Sequence, residues 1–261
     1  MPFIQSSGRR YYTFASFPRQ GIVSGIFTRQ GGVSPSPWAS LNMGGTVGDD
    51  SQRVHENRRR AFETLNRPFE SNYDVWQVHS ADVVCADAPR PLDEPHLKAD
   101  VILTDKPEIT LFMRFADCVP VLLYDPQRRV VGLAHAGWLG TVRLTLKAAI
   151  ETMQSRYGCQ PEDILAGIGP SIGMHHFEVG PEVVNQVQST FGQDSSRLLY
   201  EENGRVKLDL WEANSQILQG CGVDQIEVAG ICTACNLEDW FSHRGEKGKA
   251  GRFGALIGLT V

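Results

Sequence analysis

The chain has 261 residues, of which 41% are hydrophobic and 21% charged, so it can bury a sizeable core and is not disordered throughout. Its 25 basic and 30 acidic side chains leave a net charge of −5, which argues against a general nucleic-acid binder or a protein of anionic membrane surfaces. No stretch approaches the roughly 20 apolar residues that span a bilayer, and the first ten residues lack a secretory apolar core. A cytoplasmic protein with reduced thiols is therefore expected, and the six cysteines read as candidate metal ligands or nucleophiles rather than disulfides.

In chain order, helical spacing predicts a helix over 51–65, with Arg53, Glu56, Arg59 and Arg60 on its polar face. Strand-like runs follow at 75–78, 101–104, 109–115, 119–124 and 130–135, several apolar at consecutive positions, as suits strands covered on both faces. A helix over 141–157 is expected, with Thr141 as N-cap and Gly158 as the stop. A strand at 164–168, helices at 181–191 and 208–221, and strands at 226–231 and 255–259 complete the pattern. The predicted class is α/β in the mixed α+β sense: one layered domain over 1–261, with a mixed sheet and helices packed on it.

The segment 112–141 is the most informative. Two apolar runs flank a turn sequence that starts Asp125-Pro126. If Asp125 faces Arg128, an antiparallel hairpin sets Cys118 opposite His135; if it faces Arg129, opposite Ala136. Facing residues have Cβ atoms about 4.5–5.5 Å apart, within reach of a shared metal. His79 ends the run at 75–78 and supplies a second imidazole. A thiolate and two imidazoles suit zinc with a fourth position open to water or substrate. The pattern fits equally a buried free cysteine beside a hydrogen-bonded histidine. It fits also a cysteine hydrolase, with Cys118 as nucleophile and His135 as its base.

Other groups read more plainly. Cys232-Thr-Ala-Cys235 is a lone CxxC with no second pair evident for a structural zinc. His175-His176 follows a glycine turn and suits a pocket wall or a loop equally. His55 and His96 are expected in solvent. The basic, glycine-rich run from 240 to 252 offers His243, Arg244 and Arg252 for contact with an anion, and Arg58–Arg60 form a second basic cluster.

Ordered motifs run nearly end to end: Thr28-Arg-Gln-Gly-Gly-Val-Ser34, Ser40-Leu-Asn-Met-Gly44, Glu56-Asn-Arg-Arg-Arg60, Gln77-Val-His79, Ala99-Asp100, Ala116-Asp-Cys-Val-Pro120, His135-Ala-Gly-Trp138, Ile168-Gly-Pro-Ser-Ile-Gly173, Phe241-Ser-His-Arg244 and Gly251-Arg-Phe253. Through them the chain resembles the laccase-domain family of purine nucleoside phosphorylases, formerly labelled multicopper polyphenol oxidases. The resemblance implies one metal, normally zinc with copper as an alternative occupant, on His79, Cys118 and His135. It implies phosphorolysis of adenosine, inosine and methylthioadenosine, and adenosine deamination, so that the partners are a nucleoside and phosphate.

On that reading Cys118, His135 and Asp117 serve catalysis, Asp117 by orienting a ligand. Arg29, Arg59, His243 and Arg244 hold substrate with Asn42, and the N–H groups of Gly140 and Thr141 assist. The chain departs from the family at Leu139 and Gly245, where arginine is usual. A copper oxidase is disfavoured, because its trinuclear centre draws on His-x-His pairs, and the seven histidines include none.

Overall fold

The computed structural model describes residues 2–91 and 93–260. Two six-stranded sheets stack face to face. The first runs, edge to edge, Phe3–Ser6, Arg9–Tyr12, Ile22–Phe27, Phe253–Leu259, Thr110–Phe115 and Asn72–Tyr73. The second runs Gln225–Val228, Leu165–Ile168, Val119–Asp125, Val130–Ala136, Val101–Thr104 and Val83–Cys85. Between them Ile26, Met113 and Ile257 of one sheet interlock with Ile102, Leu122 and Leu133 of the other.

Both outer faces are covered by helices. Val121, Leu123 and Ala134 meet Leu146, Ile150 and Met153 of helix Thr145–Tyr157, and Ala213 and Ile217 of helix Leu210–Gly220. On the far side Phe27, Phe112 and Leu256 meet Ala61 and Phe62 of helix Ser51–Thr64. The stack is therefore helix, sheet, sheet, helix. It explains why Val119–Asp125 and Val130–Ala136 are buried at every position, each large aliphatic contributing about 1.5–3 kcal/mol. The layered, mixed α+β class matches expectation, with two large sheets in place of one and a small third sheet of Glu178–Val179, Arg205–Leu208 and Leu199–Glu202.

Three local expectations need correction. The hairpin pairs Asp125 with Val130 and Val119 with Ala136, one step beyond the Arg129 register and two beyond the Arg128 register. The cause is the Asp125 carboxylate, which accepts from the N–H of Gln127 and Arg128, while Arg129 takes a left-handed φ of +52°; together they stabilise a four-residue loop. Cys118 consequently lies across from Gly137, diagonal to His135.

The run at 75–78 is no strand. The strand is Asn72–Tyr73, and the following chain bends so that Val78 and Ser80 donate to a side chain instead of a neighbouring strand. The helix expected over 141–157 is two helices, Trp138–Val142 and Thr145–Tyr157, separated by Leu144 at φ +60°. Thr141 is inside the first helix rather than a cap, whereas Gly158 does close the second at φ +69°.

Candidate active site

The three predicted ligands converge where the two sheets are joined. Thr110–Phe115 belongs to the first sheet and Val119–Asp125 to the second, so Ala116, Asp117 and Cys118 form the crossing between them. The N, O and S donor atoms of His79, Cys118 and His135 all lie within 4.8 Å of one another, and Cys118 Sγ is 3.8 Å from His79 Nε2. Zinc bonds of about 2.0–2.3 Å in a tetrahedron set ligand atoms about 3.3–3.8 Å apart, so the arrangement needs only small side-chain adjustments. Gly137 makes room for it: a Cβ there would stand 2.8 Å from Cys118 Sγ and 3.1 Å from His79 Cδ2.

One carboxylate organises two of the ligands. Asp100, fully buried, accepts from His135 Nδ1 through Oδ1 at 2.8 Å. This places the proton on Nδ1 and leaves Nε2 free to ligate. Its Oδ2 accepts from the backbone N–H of Val78 at 3.0 Å and of Ser80 at 2.7 Å, the residues on either side of His79. The pair of bonds supports the left-handed backbone of His79, at φ +58°.

Burial pushes the Cys118 thiol up, but His135 and His79 outweigh it and bring it down to about 6. Burial likewise pulls His135 down, and the Cys118 thiolate and Asp100 raise it to about 9. Each shift favours the charged form, thiolate and imidazolium, and a divalent cation binding there would displace the proton from His135 Nε2. A soft thiolate and two imidazoles fit zinc, and a zinc held by these three ligands would have a fourth position for water or substrate.

That cavity holds about 720 Å³ and is lined by the three ligands, by Trp76, Trp138 and Phe177, and by Arg58, Arg114, Arg244 and Arg252. Its volume suits a nucleoside-sized molecule. The cationic wall is built around fully buried Asp74, which meets Arg90 at 2.7 Å, Arg114 at 3.0 Å, His96 at 3.0 Å and Arg58 at 4.0 Å. Three guanidinium groups thus share one carboxylate. Burial, followed by the nearby Arg114, lowers Arg58 to about 10.

Arg252 bonds to the carbonyls of Ala250 and Gly251 at 2.9 and 2.8 Å, and among the described residues it pairs with no carboxylate within 4 Å. Gly44 and Gly45 pass beside both arginines. A Cβ on Gly44 would come within 2.6 Å of Arg252 Cγ, and one on Gly45 would sit 3.6 Å from Arg58 Nη2. The wall therefore carries positive charge in excess of its acids.

His243 and Arg244 line the cavity. Arg29, Arg59 and Asn42 do not. Arg29 is a strut, bonded to Ala39 O, Leu237 O and Glu246 Oε1 and stacked 4.2 Å over the Phe241 ring. Arg59 pairs with Glu56 and Glu63 on the solvent side of its helix, and its neighbour Arg58 faces inward instead. Asn42, fully buried, accepts from Gly44 N and Arg252 N and so shapes the wall from behind.

Asp117 touches the cavity, but its carboxylate accepts from Thr233 Oγ1, Ser242 Oγ and Arg244 N at 2.6–2.7 Å; the carboxylate bonded to a candidate ligand histidine is that of Asp100. The Thr141 N–H is used on Gly137 O. His96, expected in solvent, is half-buried against Asp74 on the cavity wall. Residue-by-residue reading missed Asp74, Asp100, Arg114 and Gln77. Asp100 lay in the quoted Ala99-Asp100 motif, whereas Asp74 carried no local signal.

Among the described residues no helix is long and apolar enough to cross a membrane. Residues 23–260 match the profile of the family described as multi-copper polyphenol oxidoreductase laccase. A relative named purine nucleoside phosphorylase YlmD, from Geobacillus stearothermophilus, is 37% identical over 99% of this chain and 98% of its own length. A purine nucleoside phosphorylase of Deinococcus radiodurans is 37% identical over 93% of this chain and 91% of its own. The crystal structure of YlmD from Geobacillus stearothermophilus superposes with a TM-score of 0.92 at 36% identity, covering 100% of this chain and 99% of that one. The chain therefore belongs to the multi-copper polyphenol oxidoreductase laccase family, alongside relatives named purine nucleoside phosphorylases.

Proposed function

We propose that the protein is a zinc-dependent purine nucleoside phosphorylase of the cytoplasm, acting on adenosine, inosine and methylthioadenosine, and that it also deaminates adenosine. The observation that carries this reading is one cavity in which a three-ligand metal set faces an arginine wall short of counter-charge. The names of the relatives support it.

Arg58, Arg252 and Arg244 hold phosphate, with Arg114 fixed by Asp74 as backing charge. A phosphate oxygen bonds to the anomeric carbon as the glycosidic C–N bond breaks, giving ribose 1-phosphate (5-methylthioribose 1-phosphate from methylthioadenosine) and free purine. Trp76, Trp138 and Phe177 offer apolar faces to the base. His79, Cys118 and His135 would hold the zinc, which would supply Lewis acidity and water activation. His135 keeps its ligating nitrogen free because Asp100 retains the proton on the other. Copper-cluster oxidation is the weaker reading, because no two histidines on this cavity wall stand in a His-x-His pair.

The test incubates zinc-loaded protein with each nucleoside, with and without inorganic phosphate, and separates the products. Phosphate-dependent release of free base supports phosphorolysis, and inosine formed from adenosine supports deamination. No turnover of any purine nucleoside overturns the proposal. Hydrolase activity that survives chelation and is lost on thiol alkylation assigns Cys118 and His135 to a cysteine hydrolase instead.

A further inference from the structure

We propose that His175, His176, Cys232 and Cys235 form a second zinc site, outside the cavity and closed to substrate, that clips the segment carrying Ile172 and Phe177 to the Cys232–Cys235 turn. The donor atoms of all four side chains lie within 4.8 Å of one another. His175 Nε2 is 3.0 Å from Cys235 Sγ, and the two imidazole rings are 4.7 Å apart. Two thiolates and two imidazoles are the donor set of structural zinc, and with zinc the four ligand charges and the cation sum to zero. The adjacent histidines depart from the spacing of zinc fingers, so the CxxC has no visible second pair in the sequence; folding supplies it.

The surrounding backbone is shaped for this meeting. Ser171 and Cys232 form a parallel bridge, with Ser171 N donating to Ile231 O and Thr233 N to Ser171 O. Gly173 N donates to Cys232 Sγ at 3.2 Å, and Asn236 Nδ2 to Cys232 O at 2.8 Å, which folds the CxxC turn back on itself. Gly173 has no side chain where one would obstruct: a Cβ there would stand 2.7 Å from His175 Cε1 and 3.2 Å from Cys232 Cβ. Any side chain at 173 would push the imidazole off the thiols.

The two segments also build the wall of the cavity. Ile172 N donates to Asp117 O, Thr233 Oγ1 to the Asp117 carboxylate, and Arg244 lies 5.6 Å over the Phe177 ring. With four protein ligands the outer metal has no open position, in contrast to the inner three. Its role is to fix one wall of the pocket.

The experiment measures zinc per chain by elemental analysis after dialysis against metal-free buffer, on the full-length protein and on Cys118→Ser, Cys235→Ser and Cys118→Ser/Cys235→Ser. The expected values are two, one, one and none. Cobalt(II) substitution gives the second readout: thiolate-to-cobalt absorption persists in Cys118→Ser and disappears in the double variant. Cys235 is exposed, so its substitution leaves the core intact, and circular dichroism checks the fold. His176→Gln, also at an exposed position, is the second variant and loses the same zinc. One zinc in the unmodified protein overturns the inference, as does no zinc in folded Cys118→Ser, or a Cys232–Cys235 disulfide in the freshly purified chain.

Discussion

Replacing Asp100 by asparagine isolates the tautomer argument at the inner metal site. The amide has one acceptor and one donor end. At the Oδ2 position it meets three donors, the N–H of Val78, the N–H of Ser80 and the Ser80 hydroxyl, whereas at Oδ1 it meets His135 Nδ1 alone. The carbonyl end therefore turns to the three donors, and the NH₂ faces His135. The imidazole then accepts at Nδ1 and carries its proton on Nε2, the atom that must ligate. Recovering the ligating tautomer sets N–H against N–H in a buried site, a penalty of about 1–3 kcal/mol. The expected loss in zinc affinity is about tenfold to hundredfold, as for other residues that orient metal ligands. The backbone around His79 keeps its bonds, so the fold survives. Competition of zinc between the protein and a chromophoric chelator reads the affinity, and a thermal melt of the metal-free form reads the fold. An Asp100→Asn protein that is folded and binds zinc within twofold of the parent would refute the reasoning.

Gly137→Ala places a methyl group 2.8 Å from Cys118 Sγ with no backbone strain, since φ at 137 is −72°; zinc affinity should fall at least about tenfold while the metal-free melt stays near the parent, read by the same competition titration. Arg252→Met should raise the KM for phosphate about tenfold or more and leave the phosphate-free conversion of adenosine to inosine within about threefold, as separate product assays would show. Asp74→Asn leaves Arg90 and Arg114 without their carboxylate and should cost about 3–5 kcal/mol in urea melts at pH 7. Burial pushes the Asp74 carboxyl up, but His96, Arg114 and Arg58 hold it well below its ordinary value. Its stabilisation is thus complete above the unfolded pKa near 3.9 and is lost as pH falls further, so the gap between parent and variant should narrow at pH 3. A gap independent of pH would contradict that assignment.

The sequence made the buried strands legible because both faces of Val119–Asp125 and Val130–Ala136 are covered, leaving unbroken apolar runs. The same reasoning reaches His79, Cys118 and His135 with a register one or two steps short, because a site at the end of a hairpin tolerates a slip that a mid-strand contact does not. Other features were legible but unread. Asn203-Gly204, at φ +53° and +73°, is the strongest short hairpin signal and joins Leu199–Glu202 to Arg205–Leu208. Ser7-Gly8, at +48° and +75°, does the same between Phe3–Ser6 and Arg9–Tyr12. The choice of Arg58 over Arg59 was not legible, since neighbouring positions on a helix differ by about 100° in direction and only packing decides which faces inward. The charged partners of Asp74 lie 16 to 40 residues away, and those of Asp100 include His135 35 residues on, so their roles were not legible from local spacing.

A chain with net charge −5 nonetheless presents a cationic cavity, and the placement of its acids accounts for this. Asp74, Asp100 and Asp117 surround the site, each buried and each accepting at least three hydrogen bonds from the protein itself. Their charge is spent inward, on backbone N–H groups, hydroxyls and buried guanidinium groups: Arg58 has only a distant share of Asp74, which already serves Arg90 and Arg114, and among the described residues Arg252 has no carboxylate within 4 Å. The same inward bonds hold His79 and Asp117 in left-handed backbone, at φ +58° and +81°, which without such support costs about 1–3 kcal/mol each. Fixing the candidate metal ligands and leaving the arginines short of counter-charge are thus two results of one arrangement. On the proposed reading an anionic co-substrate would supply the missing counter-charge beside the candidate metal site, where a neutral nucleoside alone would not, and this supports transfer to phosphate over simple hydrolysis.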